Sequence, residues 1–361
     1  MKGIKILDWY IIRKFLTTFF FALGLIVLIA IVFDISEKID DFLEKKAPLQ
    51  SIIFDYYLNF IPYFANLFSP LFIFISVIFF TSKMASQSEI VAILSSGVSF
   101  RRLLAPYMVV AALLAGLSFY LNGWVIPHSN KTRLEFENTY IKNPYVLKSR
   151  NIHRQIFPGQ FIYFESYNTL ENMGFRFTYE RFEDGKLAYK LSSERLVWDS
   201  TKVSWRAENY LIRQIDGMKE IVKEGATFDT TFSFSPKEFN RREIFIQAMD
   251  NTELDANIAE KKMRGTEGLQ FDEVEKYRRS SFPFATFILT LIGVSLSSRK
   301  VRGGIGLQIG AGILLSFTYI MFMQISTTFA TNSNFPAIVA VWIPNIVYAI
   351  IAAYLLRKAP K

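Results

Sequence analysis

The stretch Phe15–Phe33, FLTTFFFALGLIVLIAIVF, decides the fold class of this chain. It contains no charged residue and is close to the roughly 20 helical residues that cross the hydrocarbon core of a bilayer. It is too long for the apolar region of a cleavable signal peptide, and no small-residue cleavage site follows it. We therefore expect this segment to remain in the protein as a transmembrane helix.

Five more apolar runs of this kind follow along the chain. They are Tyr56–Phe80, Leu103–Trp124, Phe282–Leu296, Ile305–Ile325 and Ile338–Leu356. Between the third and fourth runs lies a more polar segment, from about His128 to Lys276. The sequence predicts an α-helical membrane protein with three spans in residues 1–127, an inserted soluble domain in 128–276 and three spans in 277–361.

The composition excludes several classes of site. The chain has no Cys and only two His, so we expect no disulfide, no metal site, no cofactor and no Cys- or His-based catalytic residue. The net charge of +9 does not indicate nucleic acid binding here, because the basic residues cluster beside the apolar runs. The protein is predicted to act at the membrane and not as an enzyme.

The same basic residues predict the orientation in the membrane. They occur before the first span, after the second, after the fourth and after the sixth: Lys2, Lys5, Arg13, Lys14; Lys83, Arg101, Arg102; Arg299, Lys300, Arg302; Arg357, Lys358, Lys361. All four groups fall on one side of a six-span protein. The positive-inside rule then predicts that both termini are cytoplasmic and that the insert is periplasmic.

The insert shows the alternation that is typical of β-strands. Phe161 and Tyr163 lie two residues apart, as do Phe175 and Phe177, and Asp184-Gly185 is a hairpin-turn signal between two such runs. Short strands with frequent turns favour an antiparallel sandwich or a β-jelly roll. Helical patterns begin at Thr252 and again over Asp272–Arg279, which predicts a helical stalk leading into the fourth span.

A short amphipathic helix is predicted between the second and third spans, at about residues 84–97. Ala92 and Ile93 follow Glu89 by three and four residues, so these side chains share one helix face. Gly97 stands where a glycine commonly ends a helix. From the residues alone, the pattern is typical of a solvated helix at the membrane surface.

Several short motifs occur in an order that is informative as a set. They are Leu7-Asp-Trp-Tyr-Ile11, Ser88-Glu89-Ile-Val-Ala92 with Ser96-Gly97, Arg101, Arg102 and Pro106, Trp124-Val-Ile-Pro127, Ser281-Phe-Pro283, Gly293-Val-Ser-Leu296, Arg302-Gly-Gly-Ile-Gly306 and Tyr319. None is specific alone, but together they cover nearly the whole chain. On these residues the chain resembles the lipopolysaccharide export permeases of the LptF/LptG family.

The resemblance implies an ABC-type export permease without an ATPase of its own, and the chain indeed has no Walker A pattern. The implied partners are a cytoplasmic ABC ATPase dimer, a second homologous permease subunit, periplasmic jelly-roll bridge proteins and lipopolysaccharide itself. The helix that carries Glu89, Ala92, Ile93 and Gly97 is then expected to couple the permease to the ATPase.

Two further sites follow from the resemblance. The first and fifth spans are expected to form one side of a lateral gate, with Phe19, Phe20, Gly24, Gly306 and Gly310 as candidate residues. The aromatic residues Phe161, Tyr163, Phe175 and Phe177 are expected to line a groove for acyl chains. For both sets, ordinary packing inside a bundle or a sandwich is the competing explanation.

At the outer end of the first span the chain departs from the family pattern. Basic residues there contact the anionic lipid headgroup in some family members, whereas this segment, Asp34–Asp41, is mostly acidic. Carboxylates repel phosphates unless a divalent cation bridges them. The remaining candidates for headgroup contact are Lys38, Lys45 and Lys46.

Two other functions remain open from the residues alone. One is a non-transporting ABC-type membrane scaffold or signalling protein that controls an envelope process, although such proteins usually have four spans. The other is a membrane enzyme that acts on lipids, which lacks a recognisable set of catalytic residues here. Isolated acids near the spans, such as Asp34 and Asp55, do not by themselves indicate an active site.

Overall fold

The computed structural model describes residues 5–141, 150–217, 219–236, 239, 243–265, 268–299, 304–333 and 335–359. Its helices are α1 (Ile6–Glu44), α2 (Leu49–Ser51), α3 (Leu58–Ser86), α4 (Glu89–Ser95), α5 (Phe100–Tyr120), α6 (Ile126–Tyr140), α7 (Asn251–Arg264), α8 (Leu269–Ser297), α9 (Gly304–Asn332) and α10 (Ala337–Lys358). A π-helical segment, Ile52–Tyr57, joins α2 to α3, and another, Leu121–Val125, joins α5 to α6. A 3₁₀ helix covers Glu243–Ala248.

The six predicted spans are confirmed as six apolar helices long enough to cross a membrane. Each helix extends beyond its apolar core; the first runs over Ile6–Glu44 and the second over Leu49–Ser86. The extensions occur because helical hydrogen bonding continues past the bilayer core wherever polar side chains can reach water. Prolines lie inside α3, α5, α8 and α10, as membrane helices tolerate.

Helix α3 is the central packing element of the bundle. On one side, Phe15 and Phe19 of α1 and Tyr107 of α5 share a buried cluster with its apolar residues. On the other side, α3 packs against α8 and α9 at two glycines. A Cβ on Gly293 would lie 2.8 Å from Val77 Cγ1, and a Cβ on Gly312 would collide with Ile78. These glycines therefore permit close helix approach.

Within its described residues, the inserted domain contains six strands: β1 (Arg150–Phe157), β2 (Gln160–Asn168), β3 (Met173–Glu183), β4 (Lys186–Asp199), β5 (Ser204–Asp216) and β6 (Lys219–Thr230). They form one antiparallel sheet in the order β1-β2-β3-β4-β5-β6. The turn at Asp184-Gly185 is confirmed: both residues have positive φ, 48° and 75°, as a type I′ turn requires.

The inserted antiparallel sheet domain is thus confirmed, and its strand order adds a detail. Each described strand pairs with its sequence neighbour, which is the order of a meander, whereas a jelly roll has strands that cross between two sheets. The reason lies in the connections. Gaps as short as those between Phe157 and Gln160 or between Glu183 and Lys186 can join only adjacent strands.

The chain divides into two compact units. One comprises Met1–Tyr140, Gln247–Asn251 and Gln270–Lys361, and the other comprises Ile141–Ile246 and Thr252–Leu269. The third span continues without interruption to Tyr140, and α8 runs from the helical pattern at Asp272 directly into the fourth span. The helical pattern predicted over Asp272–Arg279 therefore lies within α8, which also contains the fourth span; the stalk itself stays a prediction.

Candidate functional site

The short helix between the second and third spans is α4, which is shorter than the predicted helix over residues 84–97. Helix α3 continues to Ser86, and the chain then turns through Ser88 with a φ of 61° before α4 begins at Glu89. Gly97 has a φ of 87°, a left-handed conformation that favours glycine and ends the helix where the sequence indicated.

Glu89 has partners on α1. The Tyr10 hydroxyl donates a hydrogen bond to Glu89 Oε2 at 2.9 Å, and Lys14 Nζ lies 3.9 Å from Oε1. Lys14 also hydrogen-bonds to the Tyr10 hydroxyl. The carboxylate is part exposed, so it joins the first span to α4 while one side stays accessible.

The other residues of α4 divide between two faces. Ile90 is buried in the bundle core, and Ile93 and Leu94 pack partly against the same core. Ala92 and Gly97 are exposed, as is Val91. Of the residues predicted for coupling, Ile93 therefore anchors α4 to the bundle, whereas Val91 adds an exposed apolar contact that the sequence pattern did not single out.

A second link joins the start of α1 to the start of α5. Arg102 donates two hydrogen bonds to Asp8, from Nη1 to Oδ1 at 2.6 Å and from Nη2 to Oδ2 at 2.5 Å. Asp8 is buried, and such bidentate pairs are stronger than neutral hydrogen bonds. Because these residues lie 94 positions apart, no local sequence pattern predicts the contact.

The candidate gate residues of α1 face different surroundings. Phe19 is 3% exposed and belongs to the core cluster with Phe15, whereas Phe20 is 50% exposed. A Cβ on Gly24 would meet no atom within 4 Å. Phe19 is thus a packing residue in this chain, whereas Phe20 lies on the accessible apolar surface of α1.

The candidate glycines of α9 also lie on an open surface. A Cβ on Gly306 or Gly310 would meet nothing within 4 Å, so among the described residues no other helix contacts this small-residue spacing. The close approach occurs instead at Gly312, against Ile78. Gly303, which precedes α9, lies outside the described residues. Both α1 and α9 pack on α3 and leave long apolar faces uncovered.

The candidate headgroup lysines differ from one another. Lys38 is largely buried and forms an ion pair with Asp34 and a hydrogen bond to the Tyr56 hydroxyl. Tyr57 also donates to Asp34, at 3.2 Å. Lys38 therefore balances a buried carboxylate. Lys45 and Lys46 are exposed in the turn after α1.

A buried ionic cluster on α8 was not predicted from the sequence. Glu275 accepts from Arg278 Nη2 at 2.6 Å and from Arg279 Nε at 3.1 Å. Arg279 also donates to the Met249 carbonyl at 2.8 Å and to Asn251 Oδ1 at 3.0 Å. These bonds hold the segment before α7 against α8.

The four aromatic residues proposed for the acyl groove do not share one face of the sheet. Phe177 is 1% exposed and lies in the core with Phe164 and Phe234. Phe161 and Tyr163 alternate with the buried Ile162 and Phe164, so they point to the opposite face. Phe175 is half-buried, so its exposure is between that of the core residue Phe177 and that of the exposed Phe161.

The core face of the sheet has a small opening. A hollow of about 260 Å³ is lined by Ile156, Gln160, Tyr179, Tyr189, Leu191 and residues 230–233. Burial raises the pKa of the Tyr179 and Tyr189 hydroxyls, so both remain protonated. The Tyr179 hydroxyl donates a hydrogen bond to Gln160 Oε1 at 3.0 Å. The hollow is mixed in character, because Arg181, Thr230, Thr231 and Ser233 line it beside the apolar Ile156, Phe157, Leu191 and Phe232.

Comparison with known proteins places these features in a family. No individual curated protein matches the chain. The family model described as lipopolysaccharide export system permease LptF/LptG matches residues 9–358, which include all six spans and the inserted sheet. The chain therefore belongs to the lipopolysaccharide export system permease LptF/LptG family.

Proposed function

We propose that this chain is one half of a permease pair that extracts lipopolysaccharide or a related glycolipid from the inner membrane and passes it to periplasmic bridge proteins. A cytoplasmic ABC ATPase dimer would supply the energy by acting on α4. The family match over residues 9–358 carries this proposal. Six apolar helices and membership of a permease family make the chain a multi-pass protein of the inner membrane.

The physics of lipid extraction supports the division into a bundle and a sheet. Moving acyl chains from lipid to water costs about 0.8 kcal/mol per CH₂. A lipid with several chains therefore needs an apolar contact at every stage of its transfer. The uncovered faces of α1 and α9 are apolar surfaces that suit this need. On the inserted sheet, the apolar side chains of Ile156, Leu191 and Phe232 border a hollow that also has polar groups.

The open glycines of α9 support a second permease subunit. Gly306 and Gly310 have the spacing that lets membrane helices approach closely, yet in the part of the chain that the structure describes no other helix fills the space. We propose that a homologous subunit packs near α9 and that α1 and α9 border the lateral gate through which lipid enters.

Crosslinking tests the lipid path. We expect a photo-crosslinking amino acid at position 20 to capture glycolipid, because Phe20 lies on the accessible face of α1. The same amino acid at position 19 is the matched control and should capture none, because Phe19 is in the bundle core. Continued export without glycolipid crosslinks at position 20 or at the exposed positions Leu28 and Val32 would rule out this path.

The proposed orientation places both termini in the cytoplasm and the sheet in the periplasm. Its support is the basic residues at alternate ends of the spans. We expect an Asp184→Cys variant to react with a membrane-impermeant thiol reagent in intact spheroplasts. A Ser96→Cys variant, exposed beside α4, should react only after the membrane is opened. The native chain has no Cys, so the labels are unambiguous; the reverse pattern would refute the orientation.

A further inference from the structure

The inserted sheet carries a second hollow, of about 400 Å³, on the face opposite its aromatic core. We call it the outer hollow and define it by His153 of β1, Phe161 and Tyr163 of β2, Glu180 of β3 and Lys190 of β4, with Asn151 at its rim. Ile162 of the core cluster also borders the hollow, whereas the other lining residues lie outside that cluster. The stability of a sheet does not require a hollow lined by aromatic rings on its solvent face. The residues that line the hollow therefore indicate what kind of ligand it could bind.

One side of the outer hollow is an aromatic platform. His153 and Tyr163 pair across β1 and β2, and their ring centroids lie 4.5 Å apart. The Tyr163 hydroxyl donates to Asn151 Oδ1 at 2.9 Å, which holds the ring in place. Phe161 lies two residues from Tyr163 on the same face and is 40% exposed. The platform therefore presents ring surfaces that are ordered before any ligand arrives.

The other side of the hollow is polar and internally neutralised. Thr178 pairs with Tyr163 across β2 and β3, and Glu180 pairs with Phe161. Lys190 Nζ lies 2.7 Å from Glu180 Oε1, so the ammonium and the carboxylate balance each other. An anionic ligand would meet both charges. A neutral ligand with hydroxyl groups can instead hydrogen-bond to either group.

We propose that the outer hollow binds the saccharide part of the transported glycolipid. A pyranose ring has apolar C–H faces that stack on aromatic rings and hydroxyl groups at its rim that bond to carboxylate, ammonium and hydroxyl groups. The hollow offers these two kinds of contact side by side. The proposal rests on the proposed export function and names which part of the substrate this surface recognises.

The position of the hollow on the sheet fits such a ligand. The hollow on the core face, which is lined by both apolar and polar side chains, includes Ile156, Phe157 and Gln160, and the outer hollow includes Phe161. The two hollows thus lie on opposite faces of the same β1–β2 hairpin, at the edge of the sheet. A glycolipid with acyl chains on the core face can place its sugars around this edge.

The test is ligand-observed saturation-transfer NMR with the full chain in detergent. The probe is the water-soluble oligosaccharide that mild acid releases from lipopolysaccharide. We expect saturation transfer with the unmodified chain, and a Kd at least about fivefold weaker in Tyr163→Ala, since aromatic contacts of this kind contribute about 1 kcal/mol. Val222→Ala is the control: Val222 is exposed on β6, four strands from Tyr163 and two strands from Lys190, and should leave the Kd unchanged.

Each outcome is decisive. Equal binding by Tyr163→Ala and the unmodified chain, or no saturation transfer at all, overturns the saccharide site. Displacement of the oligosaccharide by an equal concentration of inorganic phosphate also overturns it, because the site would then recognise charge. If Tyr163→Ala fails to fold, judged by its melting temperature, Phe161→Ala takes its place. Absence of glycolipid crosslinks and of export in the unmodified chain would instead refute the proposed function, independently of the oligosaccharide result.

Discussion

Replacing Glu89 with Ala is expected to abolish glycolipid export and co-purification of the ATPase, while the protein still inserts in the membrane. Glu89 opens a short helix at the end of the bundle and keeps one side accessible. Removing one member of a charge pair that becomes desolvated at an interface costs about 2–5 kcal/mol. That loss lowers affinity by roughly thirtyfold or more. The measurements are export in cells and the amount of ATPase recovered with the purified permease.

The intrachain contact of Glu89 provides the matched control. Tyr10→Phe removes the hydroxyl that donates to Glu89 and leaves the carboxylate in place. If Glu89 acts on the ATPase, Tyr10→Phe retains ATPase binding and Glu89→Ala does not. Similar losses in both variants would show that Glu89 acts through α1, and normal export in Glu89→Ala would exclude any coupling role.

The second large effect is expected for Arg279→Ala, which should lower the free energy of unfolding by about 3–5 kcal/mol. Arg279 is 6% exposed and donates to Glu275, Asn251 and the Met249 carbonyl. Its removal weakens the charge compensation of the largely buried Glu275 carboxylate. It also takes a hydrogen bond from the part-buried Met249 carbonyl and from the exposed Asn251. A fall in melting temperature in detergent measures the effect.

Arg278→Ala is the control for this prediction. Arg278 pairs with the same carboxylate at 2.6 Å, but its side chain is 30% exposed. Water can replace part of what it contributes, so its loss should destabilise the protein much less. Equal falls in melting temperature for the two variants would contradict the view that Arg279 braces the segment before α7.

Local patterns determined much of this protein from the sequence alone. The six spans follow from apolar length, because a bilayer admits only segments that satisfy their own backbone. The inserted sheet and the turn at Asp184-Gly185 follow from alternation and from residues that accept positive φ. Gly97 as the end of α4 is another local property. Each of these depends on residues within one short segment.

The tertiary structure alone decided which side chains face each other. Asp8 meets Arg102, Glu89 meets Tyr10, and Lys38 meets Asp34 because helix packing brings them together. The same packing put Phe19 in the bundle core and left Phe20 accessible. The sequence cannot distinguish these two adjacent phenylalanines, because the residue type is the same. On the sheet, side chains alternate between the two faces, so Phe161 and Tyr163 lie on one face and Phe177 lies on the other. Residue type and spacing indicate which elements form, whereas partners depend on packing between distant segments.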